Sequence, residues 1–271
     1  IISADSRQVY RGMDIGTGKD LSEYIINGRK IPYHLIDILY PTEDYNVHRF
    51  QQEFWVAYGN IHDRGKMPIL CGGTGLYLDS ILLNYNLESI PANVSLREEL
   101  EKKSKAELEE QFKMLDPNLF SRWKTDTKRR IIRGIELAQS QGNPETNSKG
   151  NILKSSLVLG INYPREIIRQ RITFRLKERL NSGMIEEVEN LLKNGLSKKR
   201  LDYFGLEYKF IRRFIDGEIN RDELFELLNI AIHQFAKRQM SWFRRMEKKG
   251  IIINWIKEGD VNKSMKIIDC H

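Results

Sequence analysis

Ile1-Ile2-Ser3-Ala4-Asp5-Ser6-Arg7-Gln8-Val9-Tyr10 runs two β-branched residues straight into a polar cluster that extends from Ser3 to Gln8. A buried parallel strand reads this way when it delivers a carboxylate and hydroxyls to its C-terminal end, where open α/β sheets bind ligands. The plainer alternative makes Asp5-Ser6 a helix N-cap and nothing more. A strand at residue 1, with no initiator Met, implies a preceding segment.

Pro68-Ile69-Leu70-Cys71 is a second short apolar run. Gly72-Gly73-Thr74-Gly75 and a helix over Leu76–Leu83 follow it, which makes a strand–turn–helix unit. Tyr33–Ile38 reads as another strand. Val47–Arg64, with Phe50, Phe54, Ala57, Tyr58 and Ile61 on one face, reads as a crossover helix. Strands alternating with helices predict an α/β fold with a parallel sheet and right-handed connections.

From about Ile90 to Asn151 the pattern turns helical: Leu96–Phe112, a helix start at Asp116-Pro117-Asn118, then Thr127–Gln139 and a polar loop over 141–150. The sheet resumes at Ser155–Ile161. A long helix is expected from Pro164 to Leu192 with Gly183 tolerated inside it, then another over Asp222–Lys248, and a closing strand at Ile251–Ile256. The predicted division is an α/β core of residues 1–89 and 152–271, with a helical insertion of residues 90–151.

The 271 residues are 30% charged and 40% hydrophobic with a net charge of +7, an ordinary composition for a water-soluble protein with a weak bias toward a polyanionic partner. Cys71 and Cys270 form no C-x-x-C pair, which argues against a zinc site or disulfide framework and fits a reducing cytoplasm. No apolar run approaches the roughly 18 residues of a membrane span. The five histidines have no metal-ligand spacing; His34 is expected to be a packed core residue and Cys71 a buried strand residue.

Two kinds of constellation carry chemistry. Gly72-Gly73-Thr74-Gly75 is a candidate anion cradle, since glycines let backbone N–H groups approach a phosphate at a helix N-terminus. Beside Asp5 it suggests transfer from, or hydrolysis of, a phosphorylated or diphosphorylated donor. The other kind is basic. Lys124, Lys128, Arg129, Arg130 and Arg133 surround one helix whose buried side is Ile131, Ile132 and Ile135. His233, Gln234, Lys237, Arg238, Arg244 and Arg245 interleave with Trp242 and Phe243. Each alone reads better as a solvated helix face; the two together, flanking a phosphate-binding edge, favour a gripped nucleic-acid strand instead.

Asp5 to Thr17, His34-Leu35-Ile36-Asp37, Gly72 to Tyr77, Arg130 to Glu136, Gly183 to Val188 and Ala236 to Arg244 are collinear and span nearly the whole chain. Together they resemble the tRNA dimethylallyltransferase family, also called tRNA isopentenyltransferases. The resemblance implies a P-loop NTPase-like parallel-sheet core with an inserted helical domain that holds the anticodon stem-loop. It also implies transfer of a dimethylallyl group from dimethylallyl diphosphate to N6 of adenosine 37, assisted by Mg²⁺, in a cytoplasmic enzyme expected to be a monomer.

Carried over residue by residue, the resemblance makes Asp5 the general base, with Thr74 also in the catalytic pair. It places Asp5, Ser6, Arg7, Gln8, Arg97, Arg129, Arg130, Ile131, Ile132, Arg133, His233, Gln234, Lys237 and Arg238 against tRNA, and Gly72, Gly73 and Thr74 against the diphosphate. The family's G-x-x-x-x-G-K-[ST] loop is expected before Ile1, in a strand–turn–helix unit of about 30 residues. Its lysine and hydroxyl would bind the diphosphate and Mg²⁺, so a chain lacking it is expected to be inactive. Two further departures are Glu207 where the family has glycine and Arg129 where it commonly has glutamine. The alternatives left open are an isopentenyltransferase acting on free adenine nucleotides, a small-molecule P-loop kinase, and an RNA-binding relative without catalysis.

Overall fold

A computed structural model describes residues 1–85, 93–140, 153 and 155–270. The polar loop expected over 141–150 lies outside them. The chain divides into two compact units, Ile1–Tyr85 with Asn151–His271, and Asn86–Gly150.

The first unit opens with β1 (Ile2–Ser3), followed by the hairpin strands β2 (Ile25–Ile26) and β3 (Arg29–Lys30), α1 (Val47–His62), β4 (Leu70–Cys71) and α2 (Gly75–Leu82). β1 and β4 run parallel, Ile2 opposite Leu70 and Ser3 opposite Cys71. Both strands therefore end at the same edge, and Asp5 and the glycine turn emerge there together. The strand expected over Tyr33–Ile38 is reduced to one bridge between Ile2 and His34. Leu35 and Asp37 have φ of 63° and 55°, which a pleated strand does not accommodate. His34 is half-buried and held by its backbone, its N–H donating to Ile1 and its carbonyl accepting from Ser3. Cys71, expected to be buried, is exposed.

Helix α1 starts where Asn46 accepts the Arg49 N–H. It buries Phe50, Phe54, Ala57 and Ile61, as the sequence pattern predicts. Phe50 stacks on Tyr77 with ring centroids 4.2 Å apart, which fixes the helix that follows the glycine turn.

The second unit is helical: α3 (Val94–Leu100), α4 (Lys105–Leu115), α5 (Pro117–Arg122) and α6 (Lys128–Gln139). The single helix expected over Leu96–Phe112 is two, because Ser104 and Glu107 form a capping box that starts a new one. Asp116 caps α5 with Pro117 in its first turn, and Thr127 caps α6. Leu100, Leu108, Phe112, Ile131, Ile132 and Ile135 form the core of this unit. A Cβ on Gly134 would lie 2.3 Å from the Phe112 ring, so glycine is what lets α4 and α6 approach.

The chain then returns to the first unit with β5 (Val158–Asn162), paired in parallel along its length with β6 (Ile253–Lys257). Between them lie α7 (Arg165–Asn181), α8 (Met184–Lys193), α9 (Lys198–Phe204), α10 (Leu206–Ile215) and α11 (Arg221–Lys248); α12 (Val261–Asp269) follows. Gly183 does not sit inside one long helix. At φ 97° it separates α7 from α8. Among the described residues the strands form two parallel pairs and one hairpin rather than one continuous sheet, and no helix is long and apolar enough to cross a membrane.

Candidate functional site

Asp5 leaves β1 and closes a turn on itself. Its Oδ1 accepts the N–H groups of Arg7 at 2.7 Å and Gln8 at 3.3 Å, an arrangement that short carboxylates favour at chain reversals. The N-cap alternative is thus partly right: the side chain caps a turn, not a helix. Oδ2 has no hydrogen-bond partner among the described residues. Thr74 clips the two strand ends together, its Oγ1 accepting the Ser6 N–H at 3.1 Å and its own N–H donating to Ala4 at 3.1 Å.

The next side chains are fixed as firmly. Arg7 donates to the Tyr203 carbonyl at 2.9 Å, with its guanidinium 4.9 Å from the Tyr203 ring centroid. Gln8 is held at both ends: its amide donates to the Gly18 carbonyl at 3.1 Å and its Oε1 accepts from Ser3 Oγ at 3.0 Å.

Residues 14–20 contribute groups that the sequence reading missed. Gly18-Lys19 looks like the end of a phosphate loop, but Lys19 is buried and already partnered. Its Nζ donates to Asp14 at 2.5 Å, to the Tyr10 carbonyl at 2.7 Å and to Asp37. Arg175 and Arg179 of α7 converge on Asp20 Oδ2 at 2.7 and 3.3 Å, and both crowd Gly18, where a Cβ would meet the Arg179 guanidinium at 1.9 Å. Burial, then the neighbouring Arg175, hold the Arg179 guanidinium below its usual pKa. Burial pushes the Glu207 carboxyl up, with Asp5 adding to the rise and Arg179 and Arg175 opposing it. The signal available in sequence was the i, i+4 spacing of Arg175 and Arg179 on one helix face.

The glycine turn expected to cradle an anion through Gly72, Gly73 and Thr74 is closely packed. The Thr74 N–H is bound to Ala4. A Cβ on Gly72 would lie 2.6 Å from the Ala4 backbone. Gln239 of α11 donates to the Gly73 carbonyl at 3.1 Å, and Trp242 lies 2.4 Å from where a Gly75 Cβ would be. These glycines let β1 and α11 approach the turn closely. Gly72→Ala is expected to destabilise the protein by about 1–3 kcal/mol, since the clash is with backbone rather than a movable side chain; urea denaturation measures it.

The basic residues separate into partnered and open ones. Arg97 grips the buried Glu136 with two bonds of 2.7 Å, and Arg133 adds a third at 3.1 Å. Burial pushes the Glu136 carboxyl up, but these hydrogen bonds outweigh it and hold it below the usual range. Ile131 and Ile132, assigned to tRNA, are 0% and 3% exposed, so their side chains belong to the core instead. Arg130 pairs with Asp126 one turn away, and Arg129 is exposed with no ion pair among the described residues. On α11, Gln234, Lys237 and Arg238 are exposed, and Arg238 lies 5.8 Å from the Phe235 ring centroid. His233 lies 3.4 Å from Thr173 Oγ1 and is held below its usual pKa by burial and then Arg169. Arg245 faces inward, 3.8 Å from the Trp242 ring centroid and 3.6 Å from buried Asp79.

A carboxylate beside a glycine turn at the shared C-terminal edge of two parallel strands sits where α/β proteins bind their ligands. The chain belongs to the IPP transferase family, whose model matches residues 8–246. It is 51% identical to tRNA dimethylallyltransferase 1 of Azobacteroides pseudotrichonymphae, over 99% of this chain and 88% of that protein. It is 49% identical to tRNA dimethylallyltransferase 2 of Bacteroides fragilis, over 94% of this chain and 83% of that protein. Among solved structures it is similar to the tRNA delta(2)-isopentenylpyrophosphate transferase from Staphylococcus epidermidis, with a TM-score of 0.67 and 30% identity, over 100% of this chain and 90% of that one.

Proposed function

We propose that this protein transfers a dimethylallyl group from dimethylallyl diphosphate to N6 of adenosine 37 in the anticodon loop of tRNA. The observation that carries this reading is Asp5, anchored through Oδ1 with Oδ2 open at the strand edge, in a chain of this family. The adenine amine is a poor nucleophile because its lone pair is delocalised into the ring. Rate must come from positioning, from a base that takes the proton as the N–C bond forms, and from stabilising the departing diphosphate. Asp5 Oδ2 is the base, and Thr74 holds the turn that aims it. The target base must leave its stack to reach the carboxylate, a cost of about a few kcal/mol offset by phosphate and stacking contacts.

Gly72, Gly73 and Thr74 are proposed for the diphosphate, joined by Arg175 and Arg179, two guanidiniums that share the exposed Asp20 carboxylate beside Gly18. Mg²⁺ is the proposed cofactor and would neutralise the leaving group. The parallel strand pairs are assigned to a P-loop NTPase-like core and the helical unit to the insertion that grips the anticodon stem-loop, in a monomeric cytoplasmic enzyme. Exposed Arg129, Lys237 and Arg238 favour tRNA over a free adenine nucleotide, which would not need them.

The test is prenylation of an anticodon stem-loop RNA by the full-length protein with dimethylallyl diphosphate. Prenylated RNA is the expected product. RNA binding without prenylation would leave a non-catalytic relative, and prenylation of adenine nucleotides alone would favour the alternative substrate.

A further inference from the structure

Glu187, in the first turn of α8, points its carboxylate away from its own helix and into residues 14–16. Its Oε2 accepts the N–H groups of Asp14 and Ile15, both at 2.7 Å, and its Oε1 accepts the Gly16 N–H at 3.1 Å. Tyr208 of α10 donates to the same Oε1 at 2.8 Å. Three successive amides converging on one anion form a nest, a concavity that elsewhere binds phosphate; here the protein fills it with its own carboxylate. The packing is close enough to require glycine, because a Cβ on Gly16 would lie 2.7 Å from Tyr208 Oη.

The same loop reaches the proposed active site. The Gly18 N–H donates to the Ile15 carbonyl at 3.2 Å, closing a turn from the clamped residues to Gly18. The Gly18 carbonyl then accepts the Gln8 side-chain amide, and the Gln8 N–H donates to Asp5 Oδ1. Asp20, two residues beyond Gly18, takes the Arg175 and Arg179 guanidiniums. A single carboxylate thus ties down the segment whose Gly18 carbonyl orients the Asp5–Gln8 turn.

We propose that Glu187, assisted by Tyr208, is a positioning residue for group transfer: it clamps residues 14–16 so that Gly18 holds Gln8 against Asp5. This rests on the prenyl-transfer reading above. Glu187→Gln keeps the size of the side chain but loses its charge, and places an amide NH₂ where an acceptor is needed. It is expected to lower kcat by about 10²-fold while KM for dimethylallyl diphosphate changes little, as displacement of a reacting group predicts.

The deciding measurement is a double-mutant cycle in kcat among Glu187→Gln, Gln8→Ala and the pair. Because Glu187 acts through Gln8, the double variant is expected to be no slower than the slower single one. Tyr208→Phe, which leaves the three amide bonds in place, supplies a milder second cycle should Glu187→Gln fold poorly. Losses that multiply in either cycle overturn the inference, as does a Glu187→Gln enzyme that turns over at the wild-type rate. The RNA-free protein gives a readout independent of turnover, since the Gln8 side-chain amide resonance is expected to move in Glu187→Gln. An unmoved resonance overturns the clamp whatever the activity, whereas an inactive wild-type enzyme with the resonance moved overturns only the reaction assigned to the site.

Discussion

Asp5→Asn is expected to lower kcat for prenyl transfer by about 10²–10⁴-fold, the range for loss of a positioned general base. Its Kd for the anticodon stem-loop is expected to stay within about threefold, because phosphate contacts dominate RNA affinity. Asparagine is the informative replacement because the two carboxylate oxygens have different duties. Oδ1 accepts the Arg7 and Gln8 N–H groups, and an amide oxygen does the same. Oδ2 is the open atom assigned to the proton, and an NH₂ there cannot accept it. Asp5→Ala removes both duties, so it is expected to lose at least as much turnover and also to loosen the turn that aims Arg7 and Gln8. Single-turnover kinetics with saturating stem-loop RNA, paired with filter binding, separates the effects. An Asn variant with unchanged kcat removes Asp5 from the base role.

The strand–turn edge was legible because its signal is local. An apolar run ending in glycines or a short carboxylate shows in a window of a few residues, and so does the helix start at Asp116-Pro117-Asn118. Partners distant in sequence were not legible. Arg97 reads as a surface cation until the fold brings it to Glu136, and nothing near Glu187 indicates that its acceptors will meet Asp14, Ile15 and Gly16. The glycine turn shows the same limit from the other side. Gly72-Gly73-Thr74-Gly75 has the composition of a phosphate cradle and of a close-packing site alike, and the partners that pack against it, Ala4, Gln239 and Trp242, lie far away in sequence. The breaks at Gly183 and Ser104 were missed because helical periodicity continues across both, while a positive φ and a capping box end the hydrogen-bond ladder.

Glu136→Gln and Arg129→Ala are expected to have opposite signatures, and the pair distinguishes arginines that build the helical unit from those that bind RNA. Glu136 is buried with two guanidiniums and the Asn93 N–H on its carboxylate. Breaking such a network leaves buried groups uncompensated, at a cost of about 3–5 kcal/mol for a fully buried pair. Arg97 is 40% exposed on its side chain, which places the expected loss at the lower end.

The pH dependence has a definite sign. A glutamate whose folded pKa is depressed contributes stability above its unfolded pKa and loses that contribution as pH falls through the folded value. The gap between wild type and Glu136→Gln, read from hydrogen exchange of α6 amides or urea denaturation, is therefore expected to be widest near neutrality and to close in acid. Arg129, exposed at the N-terminal end of α6, is expected to do the reverse. Arg129→Ala leaves the denaturation midpoint in place and lowers the slope of log Kd against log salt by about one for a single lost phosphate contact. Arg97→Ala is the discriminating variant. A lost midpoint makes it a residue of the fold that reaches RNA only through the shape of the unit, whereas a lowered salt slope at an unchanged midpoint would return it to the RNA surface and leave Glu136 to Arg133.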